Sequence, residues 1–171
     1  GDILYRQCTP MGWNGTYEKW IEVLELIISL DPDVIVPGHG PVCGIEGAME
    51  MKAYLEYVRE ESKRCFGQGL SALDASKKID FGPYCGWRAP ARLFMNVERA
   101  YREFRNEAAD APWDHAKVFD AVLAVAAYFD IAGIEFTQGS VAIYSRAGGA
   151  WAQTAQLIAP IVFDTGFTGR S

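Results

Sequence analysis

Val34-Ile35-Val36-Pro37-Gly38-His39-Gly40-Pro41 is the stretch whose reading decides the fold. The β-branched run Val34-Ile35-Val36 reads as a short buried strand, and the Pro/Gly cluster behind it as a tight loop at the strand's end. Glycines let the backbone take positive φ and approach a bound group closely, while prolines stiffen the loop. The pattern therefore presents one imidazole, that of His39, at the edge of a sheet with little freedom, as a metal ligand requires. One histidine makes no metal site, and on chemistry alone a histidine in a surface turn is the plainer reading.

Working outward from this loop, Asp2 to Tyr5 reads as the end of another strand and Thr9 to Gly15 as a loop. Thr16 is placed to cap a helix running to about Leu30. Its apolar positions Trp20, Val23, Leu24, Ile27 and Ile28 recur at helical spacing and predict one core-facing stripe. Asp31-Pro32-Asp33 stops that helix, because the residue before a proline avoids the α region. Strand, helix, strand with a crossover of this length fits a βαβ layer, so the expected class is α/β.

On the other side of the loop the period is helical. A helix is expected from about Gly44 to Cys65, with Ala48, Met51, Leu55, Val58 and Cys65 inward and an i, i+4 pair between Glu60 and Arg64. Ser71 with Asp74 suggests a short capped helix. Pro90 suits the first turn of another, reaching about Arg105 with Leu93, Val97, Ala100, Tyr101 and Phe104 inward. The charged faces of these helices read as solvated surface. Asp110 to Asp114 opens a further helix, with Val118, Val122, Val125, Ala126 and Phe129 on its apolar face. His115 falls in its first turn, where the helix dipole disfavours a cation, and it reads as a surface or capping residue. Beyond Asp130 the chain turns rich in Gly, Ala, Thr and β-branched residues. Ser140 to Arg146 and Ala150 to Ile158 are strand candidates about a Gly148-Gly149 turn.

Composition narrows the function. The chain has 171 residues, half of them hydrophobic, enough for one domain-sized core. A net charge of -6 argues against nucleic acid or an anionic membrane as partner. No membrane span is readable, because the most hydrophobic stretch, Ala116 to Ile134, is interrupted by Lys117, Asp120 and Asp130. The four cysteines, Cys8, Cys43, Cys65 and Cys85, form no C-x-x-C pair and so no zinc ribbon. Reduced thiols and a cytoplasmic location are the expectation. The chain opens on Gly1 rather than Met, so a signal peptide further upstream is left open. Cys8 and Cys43 read as small packed or loop residues, since no neighbouring histidine would activate either. Met11, Trp13 and Tyr84 are candidates for lining a pocket, though packing is the simpler role for each. Substrate and oligomeric state are not readable.

Gly1-Asp2-Ile3-Leu4-Tyr5, followed after a helix by V-P-G-H-G-P at residues 36–41, resembles the metallo-β-lactamase superfamily of metal-dependent hydrolases. The likeness covers roughly residues 1 to 107. It implies that Asp2 is an aspartate bridging two metal ions and that His39 is the last histidine ligand, the pair being both the metal-binding and the catalytic residues. It implies two zinc ions, or iron or manganese, in the intact protein, and hydrolysis of an ester, thioester, lactone or amide bond of a small molecule by a metal-bound hydroxide. The family's H-x-H-x-D-H segment is absent, and the chain holds only two histidines, His39 and His115. The resemblance therefore casts it as the C-terminal part of a longer enzyme, inactive alone. The expected architecture is the C-terminal part of a metallo-β-lactamase-like αβ/βα sandwich over residues 1–43. A helical appendage over 44–130 and a short β-rich tail over 131–171 complete it. The competing expectation is a non-catalytic α/β binding or interaction module, its G-D and P-G-H-G elements being structural turns.

Overall fold

The computed structural model describes residues 2–129 in full and, beyond them, the backbone of five short strands. Five α-helices and two 3-10 turns form the described residues up to 129. These are α1 (Tyr17–Ser29), α2 (Ile45–Gly67), α3 (Ala72–Lys78), α4 (Leu93–Phe104) and α5 (His115–Tyr128). Two compact units are distinguished, Gly1–Val125 and Ala126–Ser171.

The helices begin and end where local chemistry dictates. Thr16 caps α1 by accepting from the Lys19 amide at 3.2 Å. Ser71 does the same for α3, accepting from the Asp74 amide at 3.1 Å. Asp114 closes the start of α5, its Oδ1 accepting from the Lys117 amide at 3.2 Å. Helix α2 is the axis of the first unit. Ala48, Met51, Leu55, Val58 and Cys65 lie along its inner face, all fully or almost fully buried, and α1, α3 and α4 each pack against it. The expected Glu60–Arg64 pair does not form, because Arg64 turns to Glu61 instead, Nη2 to Oε2 at 2.6 Å.

The expected α/β architecture is not what these residues adopt. Residues 2–129 are 59% helical and 5% strand and contain no sheet, so they are not the expected C-terminal part of an αβ/βα sandwich. Outside α1, the first 43 residues make isolated bridges only, Tyr5 with His39 and Cys8 with Arg88 in parallel and Ile35 with Cys43 in antiparallel. Val34-Ile35-Val36 is not a buried strand. Val34 is 65% exposed and Val36 73%. The physical reason is coverage. A run of this kind is buried only when neighbours pair with both edges and layers cover both faces. Here a single bridge at Ile35 pairs one residue, and among the described residues nothing covers the two valines. The α1 stripe is likewise only partly covered, with Leu24 buried but Val23 exposed.

The charged face of α4 also departs from expectation. Arg92, Arg99 and Arg102 are buried, not solvated. Arg99 donates to the carbonyls of Gly12, Trp13 and Ala109, and Arg102 to Pro112 and Glu107. Both guanidiniums lie over the Trp113 ring, at 5.0 and 4.5 Å from its centroid. Loop carbonyls that helices and strands leave unpaired are thus satisfied by arginine forks.

In the second unit the strands are β1 (Ile134–Glu135), β2 (Ser140–Ala147), β3 (Ala150–Ile158), β4 (Ile161–Asp164) and β5 (Gly166–Gly169). Strand β2 runs antiparallel to β1 and β3, and β4 to β5, with an irregularity in register between Ile143 and Tyr144. The Gly148-Gly149 turn lies outside the described residues. Among the described residues no helix is long and apolar enough to cross a membrane.

Candidate metal centre

Two short backbone segments bring the sequence motifs together. Residues 4–6 lie beside residues 38–39, with Gly38 donating to the Leu4 carbonyl at 3.0 Å and Arg6 to the His39 carbonyl at 2.8 Å. The close approach demands glycine at position 40. Its φ is +91°, and a Cβ there would collide with the Arg6 carbonyl oxygen. Arg6 in turn forms an ion pair with Glu50, tying this segment to α2. On the other flank the Trp20 indole of α1 donates to the Ile3 carbonyl at 2.7 Å. The residue after Asp2 is therefore anchored to a helix and the residues after it to the histidine loop.

Asp2 and His39 converge as a result. His39 Nε2 lies 3.3 Å from Asp2 Oδ1, with the aspartate 71% exposed and the imidazole 29%. The separation passes a simple test of fit to a metal ion. Two ligand bonds of about 2.0–2.2 Å, opening at angles between octahedral and tetrahedral, place their donor atoms roughly 2.8–3.6 Å apart. A carboxylate oxygen and a neutral imidazole nitrogen are also the donor types that zinc, iron and manganese accept. The same contact serves as a plain ion pair when the imidazole is protonated. Among the described residues no third His, Cys, Asp or Glu joins them to make a three-ligand group.

Tyr5 completes the surroundings. Its ring is stacked on the His39 imidazole, centroids 4.5 Å apart and planes 7° from parallel, and it also meets the Trp20 ring edge-on at 6.2 Å. Burial, with the Asp2 charge adding to it, pushes the Tyr5 phenol up to about 12, so the ring stays neutral at physiological pH. Nothing in the sequence distinguishes Tyr5 or Trp20 from ordinary core aromatics except position. Tyr5 follows the G-D motif within the same expected strand.

The other candidate residues go elsewhere. His115 is exposed in the first turn of α5, its ring 5.2 Å from that of Trp13. Trp13 packs edge-on against Trp113, while Tyr84 belongs to a separate cluster with Tyr54, Tyr57 and Trp87. These residues therefore do not share one pocket wall. A groove between α1 and α2, lined by Glu25, Ile28, Met49 and Lys52 among others, contains neither Asp2 nor His39. All four cysteines are free thiols. Burial pushes the Cys43 thiol up, the opposite of an activated nucleophile. Cys8 is buried and accepts from Arg92 at 3.6 Å.

The chain matches no family model, and no curated protein matches it.

Proposed function

We propose that Asp2 and His39 are two ligands of a metal centre in a hydrolase similar to the metallo-β-lactamase superfamily. The observation that supports this reading is the 3.3 Å approach of Asp2 Oδ1 to His39 Nε2. It joins the G-D and P-G-H-G motifs in space, as the resemblance requires. Zinc is the expected ion, with iron or manganese as alternatives. When bound, such an ion supplies Lewis acidity and makes water nucleophilic near neutral pH. In this role the His39 imidazole would hold the ion through Nε2 and the Asp2 carboxylate through Oδ1. The substrate class is an ester, thioester, lactone or amide. Two protein ligands fall short of the three that a catalytic zinc site usually has, so the chain alone is expected to bind zinc weakly and to hydrolyse nothing.

Weak binding is best read residue by residue. A zinc titration of the 171-residue chain, followed by the imidazole resonances, has His115 as its internal control. His39 is expected to shift at lower zinc than His115, and Asp2→Asn to raise the zinc needed at His39 at least about tenfold. Equal responses of the two histidines, or no effect of Asp2→Asn, would refute the metal assignment. The competing reading is a non-catalytic module in which the Asp2–His39 contact merely closes a loop. It is favoured by the direct contact itself, which a simple ion pair explains without a metal, and the same titration decides between the two.

A further inference from the structure

We infer that Tyr5 is a positioning residue for the Asp2–His39 pair, holding the His39 imidazole plane so that Nε2 faces the carboxylate; the inference rests on the metal reading above. An imidazole on a loop has two side-chain torsions to fix before it can serve as a ligand. Loop backbone alone fixes neither. Tyr5 lies parallel against one face of the ring, the planes within 7° at a centroid distance of 4.5 Å. The same residue bridges His39 through the backbone, so ring and main chain are held by one neighbour.

Tyr5 is itself held on several sides. Its side chain is buried, its amide donates to Met51 Sδ on α2 at 3.1 Å, and its ring meets that of Trp20 on α1 in an edge arrangement at 6.2 Å. Trp20 in turn fixes the Ile3 carbonyl next to Asp2. Trp20 thus fixes the backbone next to Asp2, while Tyr5 stacks on the His39 ring itself. Stacking needs the ring of Tyr5 and not its hydroxyl. That separates a positioning role from one in proton transfer.

The test compares Tyr5→Phe and Tyr5→Leu with the unaltered chain in the zinc titration followed by the His39 resonances. Tyr5→Phe is expected to match the unaltered chain. Tyr5→Leu is expected to need about three- to tenfold more zinc, the range given by a typical aromatic pair energy. The stacked ring should also displace the His39 ring protons upfield in the unaltered chain and in Tyr5→Phe, and this displacement should vanish in Tyr5→Leu. Zinc binding by Tyr5→Leu equal to that of the unaltered chain, while Asp2→Asn weakens it, would overturn the positioning role and leave the metal reading standing. Failure of His39 to respond selectively to zinc in the unaltered chain would instead remove the metal reading, and this inference with it. If Tyr5→Leu does not fold, the unaltered chain and Tyr5→Phe decide. An upfield displacement in both, with equal zinc response, supports the role, and its absence overturns it.

Discussion

The first 43 residues and the helical block that follows are made of similarly apolar sequence, yet they use it differently. In the block, Met51, Leu55 and Val97 are fully buried, each helix covering its neighbour's stripe. In the extended segments on either side of α1 within the first 43 residues, Ile3, Val34, Val36 and Val42 remain exposed, and the main chain makes isolated bridges instead of a ladder. Helices satisfy their own backbone hydrogen bonds and need partners only for side chains. Extended segments need partners for both. The candidate centre sits on the half-supported region, held by three tethers into the helices: Arg6 to Glu50, Tyr5 to Met51 and Trp20 to Ile3. This arrangement places stability in one region and the candidate chemistry in the other.

The sharpest way to break that division is a cavity in the block. Leu55→Ala removes a side chain with no exposed surface at the centre of α2. The expected loss is about 2–5 kcal/mol in chemical denaturation, because transfer and cavity terms add. A loss under about 1 kcal/mol would mean that α2 is not the axis of the fold. Because the tethers end on α1 and α2, the same variant should also loosen the Asp2–His39 contact.

Helical periodicity and capping make most of the block legible in the amino-acid sequence alone. The stripe on α2, the caps at Thr16 and Ser71 and the start of α4 near Pro90 follow from spacing and from residues that act within four positions. The exposure of Val34 and Val36 is not legible there, because membership of a sheet is decided by segments far away in sequence. Their β-branched composition describes a fit to a covered, pleated surface, and that surface is missing around Val34 and Val36. The buried arginines escape notice for a related reason. Charge suggests solvent, but Arg92, Arg99 and Arg102 donate to the loop carbonyls of Thr9, Gly12, Trp13, Ala109 and Pro112, and the fork geometry of arginine suits that task. Their spacing of seven and three residues on one helix face is the available signal. As for the site, the approach of Asp2 to His39 follows from motif resemblance. The Tyr5 stack depends on side-chain directions that no spacing rule supplies.

A smaller effect tests the arginine clamps. Arg102 and Arg105 both donate to Glu107, at 2.8 and 2.6 Å, and hold its carboxyl below the usual carboxylate range. A depressed folded pKa means that this stabilisation is complete above the unfolded value, about 4.3, and is lost as pH falls through the folded one. Glu103 runs the other way: burial raises its pKa, so its contribution is present below the unfolded value and disappears as pH rises through the raised one. Glu107→Gln leaves Glu103 in place and so isolates the first effect. It should cost a few tenths to about 1 kcal/mol at neutral pH, with the two chains converging in acid. Parallel stability curves from neutral pH to acid would show that the clamp is not electrostatic.

The smallest expected effect carries the comparison furthest. Val36→Thr keeps a β-branched shape and adds a hydroxyl, a change poorly tolerated wherever valine is packed. Val36 is 73% exposed, so the hydroxyl would meet water, and the expected change in stability is within about 0.5 kcal/mol. The outcome separates two accounts of this residue. If residues 34–36 are uncovered in solution, Val36→Thr matches the unaltered chain in denaturation, while Leu55→Ala does not. A cost above about 1 kcal/mol would mean that something covers Val36, and the histidine loop would then rest on a packed strand rather than on its tethers. The positioning role of Tyr5 would matter less in that case, because a covered strand would itself hold the loop that bears His39.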